Sequence, residues 1–135
     1  MQNSHRKLVC VGLHLDFWPN VKDDVQRALD DRTTLEHIYQ KLVEKKMQLW
    51  SIHDGNIKAV MTTEIAIYDT YKAVRVVTLT GDCMDEWLDL LIDTITRWAK
   101  ENGCDSFEFC GRTGWEKVLS KKGFGNKQIV MNKTI

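Results

Sequence analysis

Apolar residues recur at two different spacings along this chain, and each change of spacing marks a change of element. "KLVCVGL", Lys7 to Leu13, is a short apolar run that reads as a first strand. In "WPNVKDDVQRALDD" the residues Val21, Val25, Ala28 and Leu29 fall at helical spacing, with Pro19 and Asn20 as entry signals. A second helix follows, with Thr33 and Glu36 as a capping box and Leu35, Ile38, Tyr39, Leu42 and Val43 on one apolar face. The period then drops to two. "MQLWSIH" and "IKAVMTTEIAIY" flank Asp54-Gly55, a hairpin signal, and "KAVRVVTLT" adds a third antiparallel strand. Ile57, Ala59, Met61, Thr63, Ile65 and Ile67 share one face of the middle strand, and Glu64 lies on the other.

Helical spacing returns strongly after Gly81. Met84, Trp87, Leu88, Leu91, Ile95, Trp98 and Ala99 define a wide buried face, and Asn102-Gly103 ends the helix. "CDSFEFC" reads as a strand, and Thr113 with Glu116 as a capping box that opens "GWEKVLSKK". Gly123 is placed as a left-handed C-cap with Phe124 folding back on the helix, and "KQIVMNKTI" is expected to close the chain as a strand.

Composition narrows the class. At 135 residues, 43% hydrophobic and 28% charged, the chain suits one soluble domain that needs no covalent staple. A net charge of zero supplies no global attraction to nucleic acid or anionic membrane. No run approaches the roughly 18 apolar residues of a membrane span, and no secretory pattern is seen. The cysteines at 10, 83, 104 and 110 form no CxxC pair, and the scattered histidines 5, 14, 37 and 53 complete no metal set. Charge is uneven all the same. Acids dominate from Asp82 to Glu108, and bases dominate after Gly111 (Arg112, Lys117, Lys121, Lys122, Lys127, Lys133). An acidic helix and a basic segment on one neutral domain account for this without a dedicated binding patch.

Candidate chemistry concentrates in "TLTGDCMDEW", Thr78 to Trp87, where a strand, a glycine and a helix start meet. Free N–H groups at a helix start attract anions. Asp82, Asp85 and Glu86 occupy that position instead, with Asp82 expected as N-cap and the other two as partners of the helix dipole. A carboxylate within ~4 Å of a phosphate charge costs about 1 kcal/mol in water and several at an effective dielectric near 20.

The order strand, helix, helix, three antiparallel strands, long helix, strand, helix, strand resembles the GNAT (N-acetyltransferase) fold over nearly the whole chain. "GWEKVLSKKGF", Gly114 to Phe124, is similar to the family's penultimate helix with its Gly-Phe ending, and "WAKENGCDSFEF" to its long-helix-to-strand passage. With "GRTGW" ahead of that helix, the combination resembles small GNAT-like proteins of tailed phages. The resemblance implies a single GNAT-like α/β (α+β) domain over residues 1–135, its mostly antiparallel sheet flanked by helices in the order β-α-α-β-β-β-α-β-α-β. It also implies that Thr78, Leu79, Thr80 and Gly81 would line an acetyl-CoA site, the pyrophosphate at the turn and the pantetheine where the strand splays from its neighbour.

Two departures from the family pattern bear on activity. The turn keeps one glycine of a Q/R-x-x-G-x-G/A motif, and Leu119 stands where many members carry a tyrosine acid, with Ser120 beside it. Glu64 is the candidate base, or else an ordinary sheet-face glutamate. The expectation is a catalytically degenerate GNAT-fold protein with no cofactor, acting in virion structure, assembly or host interaction. Its expected partners are proteins, phage proteins or further copies of itself, in host cytoplasm or virion. Arg112 and Trp115 are residue types enriched at interfaces, though Trp115 also suits a core position. The alternative is an acetyl-CoA-dependent N-acetyltransferase with an atypical pyrophosphate turn, transferring directly from thioester to amine.

Overall fold

In the computed structural model, residues 7–109, 114–126 and 130–135 are described. The elements are β1 (Val9–Gly12), α1 (Trp18–Arg27), α2 (Leu35–Val43), β2 (Met47–His53), β3 (Ile57–Ile67), β4 (Lys72–Gly81), α3 (Leu88–Glu101), β5 (Ser106–Phe109) and α4 (Gly114–Ser120). The five strands form one sheet in sequence order. Each neighbouring pair is antiparallel except β4 with β5, which are parallel because α3 carries the chain back between them. The fold class is therefore the mixed, mostly antiparallel α/β sheet flanked by helices that the element order predicts.

Strand alternation gives the sheet two apolar faces. Trp50, Ile52, Ala59, Met61, Val74 and Val76 meet Trp87, Leu88, Leu91, Ile95 and Ala99 of the α3 side in one core. Met47, Leu49 and Val60 meet Val21 and Val25 of α1 and Ile38 and Leu42 of α2 in the other. The expected α3 face is the observed one, with Trp98 packed edge-on against Trp50 at 5.5 Å between ring centroids. On α2 the apolar face is narrower than its spacing predicts. Ile38 and Leu42 are buried, and Tyr39 and Val43 stay exposed, Tyr39 against Trp18.

Of the two helix ends with predicted caps here, one differs from expectation and one agrees. The cap of α2 is Thr34 and not Thr33: its hydroxyl accepts from the His37 N–H at 3.2 Å. Adjacent threonines can each cap, and the apolar register of Ile38 and Leu42 selects the second. At the other end of the chain the Gly123 prediction holds, with φ +94°. The Phe124 N–H donates to the Leu119 carbonyl at 3.2 Å and the Gly123 N–H to that of Ser120 at 3.4 Å, the paired bonds of a Schellman ending. The expected box residue Thr113 lies outside the described residues, as do 127–129 of the expected last strand. Residues 130–135 carry no regular structure. Val130, Met131 and Ile135 are exposed, so burial does not fix a strand register there.

Candidate functional site

β4 positions the four residues expected to line a cofactor site, Thr78 to Gly81, and its two halves differ. Among the described residues its pairing with β5 runs from Ala73–Ser106 to Val76–Phe109. At that point β4 also carries one extra residue against β3. Thr62 pairs with Thr78 and Thr63 with Val76, leaving Val77 as a bulge. From Val77 to Gly81, the partner of β4 among the described residues is β3.

The four residues expected to line a cofactor site turn largely toward their own protein. The Thr78 hydroxyl is buried and lies 2.7 Å from that of Thr62. Leu79 packs into the α3-side core. The Thr80 hydroxyl donates to the Asp24 carbonyl of α1 at 2.7 Å. Gly81 is still paired with Ala59, and a Cβ placed on it would come within 2.7 Å of the Ala59 Cβ and of the Lys58 carbonyl oxygen. The missing side chain lets β4 close on β3, which is a sufficient reason for the glycine.

The turn after Gly81 also departs from the expected helix start. Trp87 is 1% exposed, and its indole N–H needs an acceptor once buried. It donates to the Asp82 carbonyl at 2.7 Å. Cys83 takes a left-handed conformation at φ 56°, and Met84–Glu86 form one 3-10 turn. Helix α3 therefore begins at Leu88, with Trp87 at the cap position and no side-chain cap bond. Asp82 is not the N-cap. Its backbone carbonyl serves Trp87, and the acid in the first turn of α3 is Asp89, which pairs with Lys122 at 2.8 Å. The positive end of α3 thus already meets a carboxylate. On the other side of the strand, a cavity of about 360 Å³ lies between α1 and the ends of β3 and β4, with Asp24, Arg27, Lys58 and Asp82 in its wall. Asp24 pairs with Arg27, and Lys58 reaches Asp54 at 3.9 Å.

Glu64 is not brought into the Thr78–Gly81 segment. It stands opposite Arg75 on the α2 side of the sheet, and its carboxylate takes Lys41 Nζ at 3.0 Å and Arg75 Nη1 at 4.0 Å. Arg75 in turn faces Glu108 of β5, at 3.6 Å from Nε to Oε1. The Tyr68 hydroxyl donates to Glu108 at 2.8 Å and accepts from Arg75 Nη2 at 2.8 Å, and the Tyr71 hydroxyl reaches Glu108 at 3.5 Å. The bond to the Glu108 carboxylate raises the pKa of Tyr68. Lys41, Glu64, Arg75 and Glu108 therefore form a row of alternating charge across three strands. Of this row, only Glu64 stands out in the sequence as a candidate. Counting back from the hairpin turn pairs Glu64 with Arg75, whereas no local pattern points to Glu108.

Leu119 is buried at 5% exposure, and the neighbouring Ser120 hydroxyl donates to the Lys117 carbonyl of its own helix. Arg112 lies outside the described residues. Trp115 packs on Phe109 at 5.9 Å, on the core side. The described residues contain no group of three or more His, Cys, Asp and Glu side chains arranged to hold a metal, and no helix long and apolar enough to cross a membrane.

No family model matches the sequence, and no curated protein does. Solved structures do match the fold. A predicted acetyltransferase with acetyl-CoA from Clostridium acetobutylicum aligns with TM-score 0.74 at 11% identity, over 95% of this chain and 96% of that one. A GCN5-related N-acetyltransferase from Ralstonia eutropha aligns with TM-score 0.73 at 14% identity, over 96% and 99%. Glucosamine-6-phosphate N-acetyltransferase from Arabidopsis thaliana aligns with TM-score 0.67 at 17% identity, over 95% and 98%. This chain has the fold of the GNAT acetyltransferases.

Proposed function

We propose that this GNAT-fold chain is a non-catalytic interaction component, encoded by a phage and acting in virion structure or assembly through contacts with other phage proteins or with further copies of itself. It works in the host cytoplasm or in the virion and uses no cofactor. The observation that carries the reading is the turn from Gly81 to Leu88. Its glycine is needed against Lys58 and Ala59, Trp87 holds the Asp82 carbonyl, and Asp89 stands at the end of α3. An anion at that turn would meet carboxylates where a cofactor site needs open N–H groups. The phage setting rests on the resemblance carried by "GRTGW" and the helix after it.

One observation favours a second reading, acetyl-CoA-dependent N-acetylation. β4 carries a bulge at Val77, the kind of irregularity that would turn the strand from a neighbour and make room for a pantetheine arm. In that reading Thr78 to Gly81 line the arm and Glu64 or a water takes the acceptor's proton, with direct transfer from thioester to amine. Titration calorimetry with acetyl-CoA and with CoA separates the two. The interaction reading expects no heat of binding at physiological salt. Affinity in the low micromolar range (on the order of −8 kcal/mol) that weakens as salt is added establishes the enzyme reading instead.

A further inference from the structure

Most of α2 is committed to the core, but one stripe of it is not. Ile38 and Leu42 are buried against the sheet, whereas Tyr39 and Val43, four residues apart on the neighbouring stripe, are 40% and 46% exposed. Tyr39 leans on Trp18 at 5.3 Å between ring centroids, and Phe17 ahead of Trp18 is exposed as well. The two ends of this apolar stripe carry opposite charge. Glu36 is exposed and lies one turn before Tyr39 on the same stripe. Beyond Val43 the helix closes with the Lys45 N–H on the Leu42 carbonyl at 3.1 Å and the Lys46 N–H on the Lys41 carbonyl at 2.9 Å. Lys45 takes the left-handed conformation of that ending, at φ 61°, where glycine is the unstrained residue. Glu44 beside it is already held by Gln40 at 2.9 Å and by Lys46 at 3.3 Å. Glu36 and Lys45 have no ion-pair partner among the described residues.

We propose that this stripe of α2 is a self-association surface, on which two copies of the chain pack their α2 helices antiparallel about a twofold axis. The order acid, aromatic, aliphatic, base is its own complement when reversed. Tyr39 of each copy meets Val43 of the other, and Glu36 of each meets Lys45 of the other. The spacing closes as well. With the axis level with Lys41, Tyr39 and Val43 lie about 3 Å to either side of it along the helix. Glu36 and Lys45 lie about 6–7.5 Å out, at matching levels and within reach of each other's long side chains. A partner of another sequence would need none of this internal symmetry, so the occupant is a second copy. The inference gives the interaction reading a surface and a partner, and rests on that reading for the role of the dimer. Two short helices make a small interface, so the dimer is weak, with a Kd on the order of 100 μM.

Sedimentation equilibrium on the full chain from about 10 μM to about 500 μM tests this, with far-UV circular dichroism to confirm the fold of each variant. The natural chain is expected to pass from monomer toward dimer over that range. Val43→Glu changes an exposed position and should stay monomeric throughout. Glu36→Lys and Lys45→Glu should each weaken association about tenfold or more, because each sets like charges together. The double variant Glu36→Lys/Lys45→Glu restores the opposite pairing and should return to within about threefold of the natural chain. A natural chain that is monomeric at every concentration, a dimer that survives Val43→Glu, or a double variant no better than the single ones overturns the proposal. None of these outcomes alters the calorimetric test with acetyl-CoA, so failure here removes this surface and leaves the interaction reading to be judged by that test.

Discussion

The two ends of β4 are built on opposite plans. From Lys72 to Val76 the strand is paired on both sides, backed by Val74 in the core and crossed by the Glu64–Arg75–Glu108 row. From Val77 to Gly81 it is paired with β3 among the described residues, and its polar groups are spent on internal bonds, Thr78 to Thr62 and Thr80 to Asp24. One change of register at Val77 separates the two plans. The lesson is that a bulge and a ligand site are separate properties: the bulge re-aims the strand, but the side chains and the turn beyond it decide whether an anion could settle there.

The substitution Gly81→Ala tests that contrast with the largest expected effect. The added methyl would meet the Lys58 carbonyl and the Ala59 backbone, atoms that cannot rotate away. Destabilisation of about 3 kcal/mol is expected, at the upper end for overpacking, read as a lower urea midpoint with unchanged slope. A neutral outcome would mean that β4 lies loosely on β3 at this end and that the glycine is free to serve a bound molecule.

A smaller effect is expected at the hydroxyl pair. Thr78→Val leaves the fully buried Thr62 hydroxyl without its partner, at about 1–3 kcal/mol. Adding Thr62→Val removes the orphan, and most of the loss should return, because two matched apolar groups replace two matched polar ones. Strict additivity in urea unfolding of the single and double variants would show that the two hydroxyls are not coupled, and that this half of β4 is less tightly organised than its geometry implies.

What was legible in the sequence follows from how local each feature is. The α3 face, the Asp54-Gly55 hairpin and the Gly123 ending are set by residues within a few positions of one another, and each stands where the pattern places it. The element order was sufficient for the fold. The candidate site depends on contacts between distant segments. Gly81 is explained by Lys58 and Ala59 of another strand, and the start of α3 by an indole that captures a carbonyl before the helix. Acids ahead of an apolar helix face read as caps, and only the buried volume of Trp87 moves the start to Leu88. Glu108 was the least visible of all. Its partners come from a hairpin turn and from β4, across the whole length of α3, and a parallel register leaves no trace in local spacing.

The smallest expected effect concerns the strapped end and its response to alkali. The Tyr68 proton is held by the Glu108 carboxylate, which raises the pKa above 10.0, and Arg75 opposes part of that shift. A group whose proton is bound more tightly in the folded chain stabilises the fold fully below its unfolded pKa and loses that contribution as pH rises through the folded value. The loss therefore begins near pH 10. Cys10, pushed up to about 11 from 9.0 by burial, adds a decline of the same sign over a neighbouring range. Thermal melts of the natural chain and of Tyr68→Phe from about pH 9 to about pH 11.5 separate the two, since both proteins keep Cys10. The stability difference between them should be largest at the lower pH and shrink above pH 10. A difference that stays constant across the range would mean that the Tyr68 hydroxyl does not hold its proton on Glu108, and that the paired end of β4 owes its order to strand pairing and the Arg75 ion pairs.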